Sequence, residues 1–197
     1  MLDAARRVSD STVELSALSG GELEPLVRFL ADAPASLEGF DYISVHAPAK
    51  GWSRPERELS AVLGGLPDQV AAIVMHPDSM SELAPYAELG ERLALENMDT
   101  RKNDGRTVDE LEVYFAALPE SRFCFDIAHA GLHDPTMTLA HELLDAFGER
   151  LVEVHLSSIR GDGRHVELRD EDRERFSAVL ERCAGVPWIL EAPLPRA

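Results

Sequence analysis

The sequence predicts a parallel α/β fold, and three observations predict it. Short, nearly unbroken apolar runs recur seven times. Amphipathic stretches of helical period lie between them. The repeat from one run to the next is about 30 residues, the length of one strand–helix unit.

The runs are TVELSAL (Thr12–Leu18), YISVHAP (Tyr42–Pro48), VAAIVMHP (Val70–Pro77), RLALEN (Arg92–Asn97), RFCFDIAH (Arg122–His129), LVEVHLS (Leu151–Ser157) and PWILEAP (Pro187–Pro193). Each is rich in Val, Ile, Leu or Phe, which suits strands buried on both faces. Between them, GELEPLVRFLADA puts Leu23, Leu26, Val27 and Leu30 on one helical stripe. PERELSAVLGGL does so with Leu59, Val62 and Leu63, and TVDELEVYFAAL with Val108, Leu111, Tyr114, Phe115 and Leu118. TMTLAHELLDAFGER starts after a Thr suited to cap it and stops near Gly148; LRDEDRERFSAVLERCAG ends at a Gly cap, Gly185. SMSELAPYAELG carries an internal Pro and reads as a broken helix.

A parallel α/β sheet either closes into a barrel or stays open and doubly wound. Neither GxGxxG nor GxxxxGK(S/T) follows the first run, so the nucleotide-binding open sheet lacks its fingerprint. With no linker or composition shift, residues 1–197 read as one domain.

Composition narrows the function. Hydrophobic residues make up 45% and charged residues 28%, as in a globular protein with a sizeable core. Nineteen basic against 36 acidic residues leave a net charge of −17, which repels phosphate backbones and disfavours nucleic acid as a partner. Cys124 and Cys183 form neither a disulfide framework nor a CxxC site, and Cys124 reads as a small core hydrophobe. MLDAARRVSD has no apolar signal core and no run of about 18 apolar residues exists. The expectation is a cytoplasmic protein with no membrane span.

The polar residues of the runs gather at one end. His46, His76, Glu96, Asp126, His155 and Glu191 close the second to seventh runs. In a parallel barrel those ends open on one face, where barrel enzymes carry their chemistry. His129 follows Asp126, and His165 lies in the Gly-rich loop RGDGRHVEL; His141 reads as a surface helix residue. Taken singly, each His has a plain reading as a hydrogen-bonded rim residue, and each Glu as a helix cap or an Arg partner. Together, four or more such groups facing one mouth repel or stay desolvated unless a cation neutralises them. His with Asp and Glu, without thiolate, suits zinc, manganese, cobalt or magnesium.

The segments VHAP, VMHPDS, LEN, FDIAH, VHLSS, GDGRHVEL and ILEAPL resemble the strand-end motifs of the xylose-isomerase-like TIM barrels, a superfamily of sugar isomerases and epimerases and the endonuclease IV family. The resemblance runs from about Val13 to Leu194. It implies one metal held by Glu96, Asp126, His155 and Glu191, with Glu96 and Glu191 also serving as catalytic acid and base. The endonuclease IV branch implies more: His46 and His76 on a second ion bridged through Glu96, and His129 and His165 on a third. That branch also carries an Asp two residues before its last loop His. Here that position is Gly163, with Asp162 one residue too early, which puts the third ion in doubt.

The family barrel has eight strands and usually about 250 residues. MLDAARRV leads directly into what matches strand two, so the expected architecture is an incomplete, seven-stranded barrel lacking the first strand. Its two unpaired edges are a pairing liability. Either a partner chain covers them, as in a homo-oligomer, or the flanking strands close up; a start codon placed too late would leave the same gap.

Three functions follow. The first is a metal-dependent isomerase or epimerase of a small sugar or related hydroxy-carbonyl compound, using one to three divalent ions (zinc or manganese), with Arg160, Lys50, Trp52 and Lys102 lining the substrate mouth. Each of those four also reads as an ordinary loop residue. The second is an endonuclease IV-like zinc phosphodiesterase at abasic DNA sites, favoured by the extra histidines and opposed by the charge. The third is a non-catalytic metal-binding barrel.

Overall fold

The computed structural model describes residues 2–192; Pro193 and Leu194, the end of the last motif, lie outside them. Seven parallel strands follow in chain order around one sheet: β1 (Thr12–Ser16), β2 (Tyr42–His46), β3 (Ala72–Met75), β4 (Leu93–Glu96), β5 (Arg122–Asp126), β6 (Leu151–Leu156) and β9 (Trp188–Leu190). Two short antiparallel strands, β7 (Ser158–Ile159) and β8 (His165–Val166), make a separate hairpin between β6 and β9. The helices are α1 (Leu2–Ala5), α2 (Gly20–Asp32), α3 (Glu56–Gly64), α4 (Val108–Ala117), α5 (Ile127–His133), α6 (Thr138–Phe147) and α7 (Asp170–Glu181).

The sheet curls into a nearly closed barrel. Cα atoms of β1 and β9 come within 8 Å, yet no strand pairing joins the two among the described residues. A strand inserted between them would need two spacings, roughly 9.6 Å. The flanking strands have closed up, as one of the sequence alternatives required.

Alternate residues of each strand serve two different interiors. Ile43, Val45, Ile73, Met75, Leu93, Leu95, Phe123, Phe125, Val154 and Leu156 pack against the helices in the main core. Inside the barrel the apolar set is small: Ala72, Val74, Ala94 and Cys124, with Tyr42 and Val152 beside them. A barrel's diameter falls with strand number, which suits the short apolar side chains of this set. The expectation for Cys124 as a buried small residue holds.

Several element boundaries differ from the sequence reading. The fifth apolar run does not continue as a strand to His129. It stops at Asp126 and turns at once into α5, because the Asp126 carboxylate accepts a hydrogen bond from the His129 amide and caps the helix. At the start of helix α6 the Thr136 hydroxyl accepts a long hydrogen bond from the Thr138 amide at 3.4 Å, although the N-cap position itself is Met137. Met137 leads it in with a left-handed φ of 64°, and Asp134 accepts from the Leu139 amide. Helix α7 ends at Glu181 with Arg182 as its C-cap, before Gly185. SMSELAPYAELG forms 3-10 turns, Pro77–Ser79 and Ala84–Arg92, the latter kinked at Gly90.

Candidate metal centre

The strand ends deliver the predicted residues to one mouth. His46, Glu96 and Asp126 are the last residues of β2, β4 and β5; His155 is the penultimate residue of β6. His76 and Glu191 lie one residue past β3 and β9. His129 comes from the first turn of α5, and His165 opens β8. An irregularity in the pairing of β5 with β6 helps: the register shifts between Phe123 and Cys124, which sets Asp126 opposite His155.

Among the described residues four groups have ligand atoms within 4.8 Å of one another; three overlap at the mouth (His46, His76 and Glu96; Glu96, Asp126, His155 and Glu191; and Asp126, His129 and His165), and the fourth, Cys124, Glu153 and His155, includes the strand residues Cys124 and Glu153. Glu96 joins the first two through different oxygens. Its Oε2 lies 3.2 Å from Nε2 of both His46 and His76. Its Oε1 faces Nδ1 of His129 at 3.2 Å and Nδ1 of His155 at 3.8 Å.

The chemistry of these atoms fits cations. Glu96 Oε1, Asp126 Oδ2, His155 Nδ1 and Glu191 Oε2 are buried without a hydrogen-bond partner, one from each residue of the four-residue group. Unpartnered buried acceptors are costly, and ligand atoms of these four residues lie within 4.8 Å of one another, which suits a positive charge; the His129 and His165 rings, 3.2 and 3.1 Å from Glu96 Oε1 and Glu191 Oε2, supply one only when protonated. His46 adds a second sign. Its Nδ1 lies 3.0 Å from the Ala47 carbonyl, to which only an N–H can bond, so the neutral ring presents an Nε2 lone pair to the Glu96 carboxylate. That arrangement repels unless a proton or a metal ion lies between.

The titration of these groups shows the same strain. Burial would raise the Glu96 carboxyl, but His76, His129, His155 and His46 hold it well below the usual carboxylate range. Burial works against a charge on His46, yet its bond to Glu96 and the charge of Glu14 lift it to about 9. Against the same burial, Asp126 and Glu96 lift His129 to about 10. Burial pushes Asp126 up to about 7. Glu191 resists its burial and drops to about 2, through its bond to His165 and the charge of His155.

Residues outside the predicted set shape the centre. Asn97 joins the ends of β4 and β5, donating to the Asp126 carbonyl at 2.8 Å and accepting from its amide at 2.9 Å. The Asn97 carbonyl accepts from His129 Nδ1 at 2.9 Å, which leaves Nε2 as that ring's free ligand atom. Ser157 Oγ lies 2.9 Å from His165 Nδ1. Glu14, on β1, brings Oε2 to 3.1 Å from His155 Nε2. Glu153, fully buried inside the barrel, lies 3.7 Å from the same nitrogen.

Beside the third group stands an arginine the sequence did not single out. Arg101 pairs with Asp99, whose Oδ2 is 3.6 Å from His129 Nε2, and bonds the Gly163 carbonyl. A side chain at Gly163 would collide with that guanidinium. The position where the resemblance implies an Asp is thus covered by a cation.

The proposed substrate residues sit in the rim loops. Lys102 pairs with Asp78 at 2.9 Å, beside His76. Arg160 pairs with Asp162 in the β7–β8 turn at 2.9 Å. Trp52 stacks under Arg54, and Lys50 is exposed. None of the four contacts the three ligand groups directly among the described contacts.

No family model matches the chain, and no curated protein matches it. Solved structures do. An endonuclease IV from Thermus thermophilus is 25% identical over 92% of this chain and 77% of its own, with a TM-score of 0.57. A xylose isomerase domain protein from Alicyclobacillus acidocaldarius is 20% identical over 100% and 84%, with a TM-score of 0.63. A 3-keto-D-glucoside 4-epimerase from E. coli is 14% identical over 88% and 81%, with a TM-score of 0.53. Seven parallel strands in chain order and these likenesses lead to one conclusion: the chain belongs to the xylose-isomerase-like TIM-barrel superfamily.

Proposed function

We propose that this protein is a multinuclear divalent-metal hydrolase of phosphate esters, with the phosphodiester at an abasic DNA site as the substrate its ligand set fits best. The carrying observation is the double use of Glu96: one oxygen serves His46 and His76, the other the four-residue group. A carboxylate used from both sides suits two ions next to each other, the arrangement that clamps attacking and leaving oxygens at phosphorus. A single-ion isomerase needs only the second group. The order of the two leading readings therefore reverses from the sequence expectation.

Ions held there would activate a water and offset the charge developing on the phosphate. The chain's residues do the rest. Glu191, the most open carboxylate of the group, accepts the proton that the attacking water loses. The new P–O bond forms as the ester P–O bond breaks, and the leaving oxygen departs as a hydroxyl with a proton from solvent. Lys102 and Arg101 stand at the rim as cations for phosphate oxygens.

The second reading remains isomerisation or epimerisation of a small sugar or hydroxy-carbonyl compound, with Glu96 and Glu191 moving the proton. The net charge of −17, which opposes DNA, favours it. The test is cleavage of an abasic-site duplex by zinc- or manganese-loaded protein, beside interconversion of a ketose with its epimer or aldose. Cutting that falls about 10²–10⁴-fold in Glu191→Gln supports the first reading. Sugar interconversion without cutting replaces it with the second. Metal-loaded protein inert in both assays leaves the non-catalytic barrel.

A further inference from the structure

We propose that Glu14 is a positioning residue for the metal ligand His155, and that through this pair metal binding and closure of the barrel become one event. The inference rests on the metal reading of the four-residue group. Its ground is geometry. Glu14 Oε2 lies 3.1 Å from His155 Nε2, with 141 residues between them, and both side chains are buried. Glu14 stands on β1 and His155 on β6, while β9 lies between β6 and the seam. The pair thus reaches past β9 and ties the two sides of a seam that has no strand pairing.

The same pair fixes which nitrogen faces the centre. A neutral imidazole carries one N–H. Two carboxylates, Glu14 at 3.1 Å and Glu153 at 3.7 Å, lie on the Nε2 side and draw that proton there. Nδ1 is left with a lone pair, unpartnered, 3.8 Å from Glu96 Oε1 and 3.7 Å from Glu191 Oε2. A carboxylate behind a ligating imidazole orients the ring and raises its basicity. Nothing else among the described residues links β1 to the ligand set through a side-chain hydrogen bond.

The test is zinc binding by calorimetry for the wild type, Glu14→Gln and Glu14→Asp. Glu14→Gln should bind about 10–100-fold more weakly, with Glu14→Asp in between. Long-range proton–nitrogen NMR of the zinc-loaded wild type should place the His155 proton on Nε2. Hydrogen exchange in Thr12–Ser16 should slow when zinc is added to the wild type, and slow less in Glu14→Gln. Equal zinc affinity in wild type and Glu14→Gln, or a proton on Nδ1, overturns the inference alone. A wild type that binds no divalent ion overturns the functional reading with it. If Glu14→Gln does not fold, the proton's position in the wild type decides.

Discussion

Two arcs of the barrel hold together by different means. From β3 to β6 every strand is laddered to the next, and Phe115, Phe123, Phe125 and Phe147 interlock outside them with ring centroids 4.6–6.2 Å apart. At the seam, β1 and β9 approach without a ladder, and Trp188 and Leu190 leave the outer face of β9 with 42% and 49% of their surface exposed. Apolar burial and backbone pairing secure the first arc. At the seam the side-chain tie is ionisable: Glu14 on β1 to His155, with Glu191 and His165 beside His155 on the β9 side. The ligand groups span both arcs, so an ion in the mouth would act as a cross-link where the fold is weakest.

The largest expected effect comes from Glu96, the residue common to both ion groups. Glu96→Ala leaves His46, His76, His129 and His155 without their shared carboxylate. Elemental analysis should find bound metal near background, and turnover should fall by about 10³-fold or more. A variant that keeps its metal would show that the two groups do not depend on a shared ligand.

Core truncation should separate the arcs by stability. Phe123 is fully buried among three other phenylalanines and the helices, so Phe123→Ala should cost about 3–5 kcal/mol in urea unfolding. Trp188→Ala, at the half-exposed seam, gives up partial burial and the indole hydrogen bond to the Cys183 carbonyl and should cost less, about 1–2 kcal/mol. Similar losses at both positions would erase the distinction between the arcs.

The candidate ligands at the strand ends were legible in the sequence because each breaks an apolar run at its C-terminal end, and a parallel barrel turns all such ends to one face. His46, His76, Glu96, Asp126, His155 and Glu191 follow that rule, and their order made the family resemblance readable. Glu14 does not break its run. It sits mid-strand between Val13 and Leu15, where a two-residue period suggests a solvent-facing residue. Only curvature turns that face inward, and its partner lies 141 residues away. Helix α5 was hidden for a related reason: IAHAGLH is apolar and short, and its start is set by a capping contact from Asp126. Asp99 and Arg101 lie in a loop with no period or motif to mark them, and only the structure shows the guanidinium against Gly163.

pH should sharpen the comparison in protein stripped with a chelator. His46 at about 9 and His129 at about 10 both lie above 6.5, so the stability they add is complete below pH 6.5 and is lost as pH rises through 9 to 10. Asp126, at about 7 in place of 3.8, loses stability in the same direction between those values. Glu191, at about 2, adds stability present above pH 4.5 and lost as pH falls toward 2. The Tm of stripped protein should therefore decline steadily above pH 6.5. Zinc held by these residues would take the place of the protons, so zinc-loaded protein should hold its Tm up to about pH 9. Parallel declines with and without zinc would mean that the imidazoles are not the ligands.

The most local effect is expected at Gly163, in the turn of the hairpin that carries His165. Its φ of +81° is left-handed, where a Cβ costs about 1–2 kcal/mol. The same Cβ would push away the Arg101 guanidinium, which pairs with Asp99 beside His129. Gly163→Ala should lower stability by about that amount in urea unfolding and shift the His165 and His129 ring resonances together. The two histidines reach the third group from opposite sides, one from a helix and one from a hairpin, and Arg101 spans them. A shift confined to His165 would mean that the hairpin is set by its own turn and that Arg101 bears no weight between the two.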